Sequence, residues 1–200
     1  MKNIVIAIAG ASGSGKTYLS NLISNKFKNS VVLNQDNYYI PKPDLTKQKR
    51  DKLNFDRPSM LEWKLLINHI NSLRDNKPID APIYSFKTHI RLEETKKINP
   101  RKIIILEGLF ALYSPKINNI SNLKIYMNTH QDLCFLRRLK RDISERNRTV
   151  ESVINQYLQT VRPAFHRYIL PTKNNADIIL NGKDDHRKIF ARIKQLLEDY

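Results

Sequence analysis

Cysteine is nearly missing: Cys134 is the only one in 200 residues. No disulfide framework can form within the chain, and a reducing compartment is favoured. Long hydrophobic runs are missing too. The N-terminal run Ile4–Ala9 is too short for a signal-peptide core and far too short to span a bilayer. A soluble, cytoplasmic protein without a membrane partner is expected. Runs of five or more like charges and a basic tail are also lacking, although 35 Lys and Arg against 19 Asp and Glu give a net charge of +16. Such a balance suits a polyanion partner or anionic substrates. Lys, Asn and Ile are abundant throughout, however, as an AT-rich genome would produce, and nucleic acid is not expected as the main partner. No RNP1-like aromatic motif is visible either. Glycine is scarce, with five in all, and three of them stand at positions 10, 13 and 15.

What is present is globular. Apolar residues make up 40% and charged ones 27%, which excludes both disorder and a fibre. The length fits one domain. Short Ile- and Val-rich runs at Ile4–Ala9, Val31–Leu33, Ile103–Leu106, Leu123–Met127 and Asp177–Leu180 read as buried parallel strands. Helical patterns fall at about 15–27, 59–75, 131–146, 150–168 and 185–198, the last with the stripe Ile189, Ile193, Leu196 and Leu197. The expected fold is α/β: a parallel sheet of about five strands with helices on both faces. Residues 77–100 break the alternation. Pro78, Pro82 and Pro100 punctuate short β-type pieces there, as in a hairpin-like insertion.

Gly10-Ala11-Ser12-Gly13-Ser14-Gly15-Lys16-Thr17 fills the phosphate-loop pattern GxxxxGK[ST], with a strand before it and a helix after it. Glycines let main-chain N–H groups curl around a phosphate, and the helix N-terminus adds its positive end. Lys16 is expected on the β and γ phosphates, and the Thr17 hydroxyl on Mg²⁺. Glu107 closes the third strand of the expected sheet and Asp36 follows the second, both at the edge where such sheets bind ligands. Two carboxylates there suit phosphoryl transfer, one serving the metal and one the acceptor hydroxyl.

Arg137, Arg138, Arg141, Arg146 and Arg148 are five of the chain's 14 arginines within twelve residues. Guanidinium forks bind phosphate bidentately, so residues 137–149 are expected to form a lid over the donor phosphates. The alternative is a solvated helix face held by the pairs Arg138–Asp142 and Arg141–Glu145.

Ordered motifs run from Ile4 to about Leu180. Besides Gly10–Thr17 they are Asp36-Asn37-Tyr38-Tyr39, Asn54-Phe55-Asp56-Arg57-Pro58 and Pro82-Ile83-Tyr84-Ser85-Phe86-Lys87-Thr88-His89. Glu107-Gly108, Arg137–Asp142 and Tyr157 through Pro171-Thr172-Lys173 to Ala176-Asp177 follow. By these motifs the chain resembles the uridine kinase (uridine–cytidine kinase) family of P-loop nucleoside kinases. The resemblance implies one kinase domain over 1–200 and phosphorylation of uridine and cytidine at the 5′-hydroxyl. The implied donor is ATP, with GTP as the other option, and the implied ion is Mg²⁺. It also implies Asp36 as general base and Glu107 as support for the metal. Asp56 and Arg138 would hold the ribose hydroxyls. Tyr84 and His89 would read the base, inside a pocket of Tyr39, Phe55 and Phe86. Arg141, Arg146 and Arg148 would belong to the lid, and the assembly would be a homotetramer.

Four positions depart from the family's usual residues. Ser85 stands for Asp, Arg57 for His, His130 for Asp and Asn147 for Gly. Asn is the non-glycine residue best able to take positive φ, so the lid turn is expected to survive. Phosphoribulokinase- or pantothenate kinase-like chemistry, and a basic NTP-binding RNA-associated protein, are the competing readings. His69, His130, His166 and His186 show no metal-ligand spacing.

Overall fold

Five of the apolar runs become the parallel strands that their Ile and Val content predicts. The computed structural model describes residues 2–181 and 186–199. Its strands are β1 (Ile4–Gly10), β2 (Ser30–Asn34), β3 (Ile79–Ser85), β4 (Ile90–Ile98), β5 (Ile103–Glu107), β6 (Leu123–Met127) and β7 (Ile178–Leu180). The main sheet has the order β2-β5-β1-β6-β7, and all its pairings are parallel. The helices are α1 (Lys16–Lys26), α2 (Lys47–Asp51), α3 (Trp63–Arg74), α4 (Pro115–Ile120), α5 (Gln131–Arg146), α6 (Val150–Gln156), α7 (Arg162–Ala164) and α8 (Arg187–Glu198).

The alternation of side chains along a strand divides the core in two. Ile4, Ile6 and Ile8 of β1 face Leu19 and Ile23 of α1 and Ile189, Ile193 and Leu196 of α8. Val5, Ala7 and Ala9 face the other layer, with Leu66, Ile70 and Leu73 of α3 and Ile79, Tyr84 and Ile98 of the hairpin. Every residue of β1 and β5 is buried, which is why both read as unbroken apolar runs. Among the described residues no helix is long and apolar enough to cross a membrane.

The structure corrects several boundaries. The helix expected at 59–75 begins only at Trp63, after a tight turn at Pro58–Met60. Leu61 is held extended by a bridge to Tyr39, so the helix cannot start earlier. The pattern at 150–168 is helical but not uniformly α. Five-residue turns at Tyr157–Val161 and Phe165–Ile169 flank α7. Pro163 lies between them and has no N–H to give the regular ladder. Part of the helix expected from 185 lies outside the described residues, and α8 begins at Arg187. Two short helices, α2 and α4, had no periodicity to announce them. The insertion expected at 77–100 is the antiparallel hairpin β3–β4, with a register shift between Pro82 and Tyr84.

Candidate active site

Parallel strands deliver their C-terminal ends to one edge, and the chemistry-bearing residues gather there. The β1 register ends with Ile8 beside Glu107 and Gly10 beside Met127, and β2 ends with Asn34 beside Glu107. The phosphate loop follows β1 directly. Gly13 has φ +81°, and a Cβ there would collide with the Cys134 carbonyl, so only glycine lets the loop lie this close to α5. Lys16 folds back over the loop, its Nζ donating to the Ala11 carbonyl at 2.8 Å. Burial pulls the Lys16 pKa down, while the Glu107 and Asp36 carboxylates oppose that pull.

The Thr17 hydroxyl donates to Glu107 Oε1 at 3.3 Å. Burial raises the Glu107 pKa, and the Lys16 ammonium works against the rise. Asp36 sits in the turn Gln35–Tyr38, where Asn34 Oδ1 accepts its backbone N–H at 2.8 Å. The neighbouring Gln35 is buried, its Oε1 accepting from the Phe110 N–H at 2.8 Å. A Cβ on Gly108 would overlap Gln35, so this glycine lets the Asp36 turn seat against the end of β5. Thr17, Glu107 and Asp36 offer hard oxygen donors, and Glu107 carries a desolvation penalty that a cation beside it would relieve. The set fits Mg²⁺, which favours one or two carboxylates together with substrate oxygens and waters.

A cavity of about 670 Å³ opens over these groups and runs on toward the hairpin. Its far end is walled by rings. Tyr39 meets Phe55 edge-on at 5.3 Å and Tyr84 at 5.3 Å, and Tyr84 meets Phe86 at 5.3 Å. His89 stacks on Phe55 at 4.8 Å and 15°. Its Nδ1 lies 3.3 Å from the Tyr84 hydroxyl, and its Nε2 lies 3.8 Å from Asp51 Oδ1. Burial lowers the His89 pKa and raises that of Tyr84. The hairpin is tied to the Asp36 turn by the Tyr84 N–H, which donates to Asn37 Oδ1 at 3.3 Å. Flat rings with two or three polar groups among them make a slot for a planar heterocycle.

Between the loop and the ring slot stands the arginine cluster. Arg138 is buried, 3.8 Å from Asp56 and bonded through Nη2 to Gln156 Oε1 at 3.0 Å. Burial raises the Asp56 pKa, which Arg138 partly offsets. Arg141 chelates Asp142 Oδ1 through Nε at 2.9 Å and Nη2 at 2.8 Å, and reaches Ser12 Oγ at 3.4 Å. Arg146 lies 4.1 Å over the Phe86 ring, and burial lowers its pKa. Arg148 donates to Gln156 Oε1 at 2.7 Å and Ser152 Oγ at 2.6 Å. α5 is joined to α6 through Asn147, at φ 56° and ψ 43°, the left-handed geometry expected of it.

Thus Ser12, Gly13, Gly15, Lys16, Thr17, Asp36, Glu107, Tyr39, Phe55, Asp56, Tyr84, Phe86, His89, Arg138, Arg141, Arg146 and Arg148 line one cavity. Gly10, Ala11 and Ser14 do not; they shape the loop from beneath. The solvated-face alternative for α5 fails at its centre, since Arg138 and Asp142 are buried and Arg141 pairs with Asp142. Of the departures, Ser85 Oγ accepts the Thr88 N–H at 3.3 Å and so holds the hairpin turn. Arg57 and His130 are exposed. Sequence reasoning missed Asn37, Asp51, Asp142 and Gln156 as site residues. Asn37 and Asp142 had a signal, since both stand within the ordered motifs and Asp142 lies four residues from Arg138; Asp51 and Gln156 had none.

A family profile described as "Phosphoribulokinase / Uridine kinase family" matches residues 5–187. A uridine kinase of Ureaplasma parvum is 44% identical over 187 residues, covering 92% of this chain and 90% of its own. A uridine kinase of Clostridium botulinum is 43% identical over 201 residues, covering 98% of each. Among solved structures, phosphoribulokinase from Rhodobacter spheroides superposes with a TM-score of 0.65 at 17% identity, over 90% of this chain and 70% of that one. That likeness speaks to the fold alone.

Proposed function

Since the chain belongs to the phosphoribulokinase/uridine kinase family, we propose that it is a phosphotransferase that moves the γ-phosphoryl group of ATP to the 5′-hydroxyl of uridine or cytidine. GTP is the other candidate donor. One observation carries the reading: the ring slot of Tyr39, Phe55, Tyr84, Phe86 and His89 opens into the same cavity as Lys16, Asp36 and Glu107. A base in the slot and phosphates in the loop would lay a 5′-hydroxyl between them.

In this reading the loop amides and Lys16 hold the donor phosphates, and Arg141, Arg146 and Arg148 close over them and exclude water. Asp36 accepts the proton of the 5′-hydroxyl as its oxygen bonds to the γ-phosphorus. The bond from that phosphorus to the β-γ bridging oxygen breaks, and ADP leaves. Asp56 and Arg138 pair with the ribose hydroxyls. Thr17, with Glu107 and Asp36 around it, would hold Mg²⁺, which when bound neutralises phosphate charge. The chain works as one kinase domain, with the hairpin as its nucleoside element and residues 137–149 as its lid. A homo-oligomer, a tetramer by resemblance, and a cytoplasmic location are part of the same proposal. The test is ADP release from ATP against a panel of nucleosides, ribulose 5-phosphate and pantothenate. Turnover with uridine and cytidine is expected; turnover with only one of the other acceptors would replace the reading.

A further inference from the structure

Three guanidinium groups converge on Asp142, whose side chain is only 1% exposed. Its Oδ1 takes both bonds from Arg141 and lies 3.5 Å from Arg146 Nη1. Its Oδ2 lies 3.4 Å from Arg138 Nε, yet both of these buried atoms lack a hydrogen-bond partner. A buried N–H and a buried carboxylate oxygen left unmatched side by side are costly. The other oxygen of the same carboxylate, Oδ1, is the one that Arg141 and Arg146 hold. Each arginine serves a different part of the cavity. Arg141 touches the phosphate loop at Ser12, Arg146 covers the Phe86 ring, and Arg138 faces Asp56.

We propose that Asp142 is a positioning residue that makes donor and acceptor binding cooperative, an inference that rests on the kinase reading above. Donor phosphates compete with Asp142 for Arg141 and Arg146, because both are charge-assisted partners of the same guanidinium groups. When those two arginines turn to phosphate, the carboxylate is free to complete the Arg138 Nε–H···Oδ2 bond. That bond fixes the Arg138 plane beside Asp56, so a ribose meets an ordered partner and loses less free energy in ordering it. Reciprocally, a nucleoside on Arg138 draws Asp142 away from the donor arginines and frees them for phosphate.

Calorimetric titration of uridine into the whole chain tests this, alone and in the presence of Mg²⁺ and a non-hydrolysable ATP analogue. Uridine is expected to bind about 5- to 150-fold tighter with the analogue, the usual span of such couplings. Inorganic tripolyphosphate has no base or ribose and should reproduce most of the effect. Asp142→Asn keeps the shape and loses the charge, and should bring the coupling below about twofold while both ligands still bind. A folded Asp142→Asn protein that binds both and keeps the wild-type factor overturns the proposal. If the variant does not fold, the wild-type arms decide. An unchanged uridine Kd, or an effect of the analogue that tripolyphosphate does not share, overturns the coupling. A wild-type protein that binds no uridine under any condition overturns the kinase reading itself, and the coupling with it.

Discussion

Lys16 and Asp36 carry the most direct consequences of single side chains. Lys16 is held by the Ala11 carbonyl and lies outside both apolar clusters. Lys16→Ala should therefore remove most turnover and leave the circular dichroism unchanged. Turnover within a few-fold of wild type in such a protein would show that the loop does not hold the transferring phosphoryl. Asp36→Asn should cut kcat by roughly 10²–10⁴ with little change in uridine KM, as for loss of a positioned base. A variant as fast as wild type would pass the role to Glu107. These residues were legible because their partners stand within a few positions or at strand ends. Asp142 was half legible. Its spacing to Arg138 announced an ion pair, but spacing alone cannot say whether that pair faces water or a core. In the structure Arg141 and Arg146 close over Asp142 while Gln156 of α6, whose own sequence carries no motif, bonds Arg138. Tyr84 and Phe86 posed the same ambiguity, since their alternation fits plain packing as well as a pocket wall. In the fold both descriptions apply, since Tyr84 and Phe86 pack with the buried cluster and also line the cavity.

Two elements can be probed through stability. The turn between α5 and α6 depends on Asn147 in the left-handed region. Asn147→Ala should cost about 1 kcal/mol in denaturant unfolding, whereas Asn147→Gly should cost nothing measurable. Equal losses in both would mean that the Asn side chain, not its backbone, holds the turn. The second element is α3, which is pinned to the Asp36 turn by Tyr38, whose hydroxyl lies 2.9 Å from His69 Nδ1. Burial lowers the His69 pKa from its ordinary 6.5, so the unfolded chain binds the proton more readily than the folded one. Stability should then fall as pH drops through 6.5 toward the lower folded value. Because His69 is only partly buried, the slope should be shallow, and His69→Gln should flatten it further. A Tm that rises over that interval would contradict the sign. Strand positions were readable because buried parallel strands are apolar throughout. Helix ends were not, since the start of α3 is set by the Tyr39–Leu61 bridge and the five-residue turns by Pro163 acting within a longer helical run.

At the scale of the whole molecule, the cavity makes a claim about what it refuses. On the proposed reading, a slot ringed on several sides would leave little room for a purine, and Asp56 with Arg138 would lose its match if a ribose hydroxyl were missing. kcat/KM for adenosine, guanosine and 2′-deoxyuridine should fall by roughly tenfold to more than a hundredfold relative to uridine. Equal values for uridine, deoxyuridine and adenosine would defeat the pocket even if phosphoryl transfer is confirmed. The order of the sheet was readable as a class but not as a strand sequence, because β5 pairs between β1 and β2 only after the hairpin has been set aside. Among the described residues that hairpin shares no ladder with the main sheet, and β3 and β4 pair with each other. It is attached instead through side chains: Ile79, Ala81, Tyr84 and Ile98 in the core, the Arg91–Glu62 ion pair, the Asn37 bond, and the ring contacts of Tyr84 and His89 with Tyr39 and Phe55. The hairpin thus brings only part of the acceptor end of the cavity, Tyr84, Phe86 and His89, while Tyr39, Phe55, Asp56 and Arg138 come from other pieces of the chain. A transplant of residues 79–98 between two such enzymes should therefore shift how the base is gripped and leave the demand for a ribose where it was, a graft that changes half of the appetite.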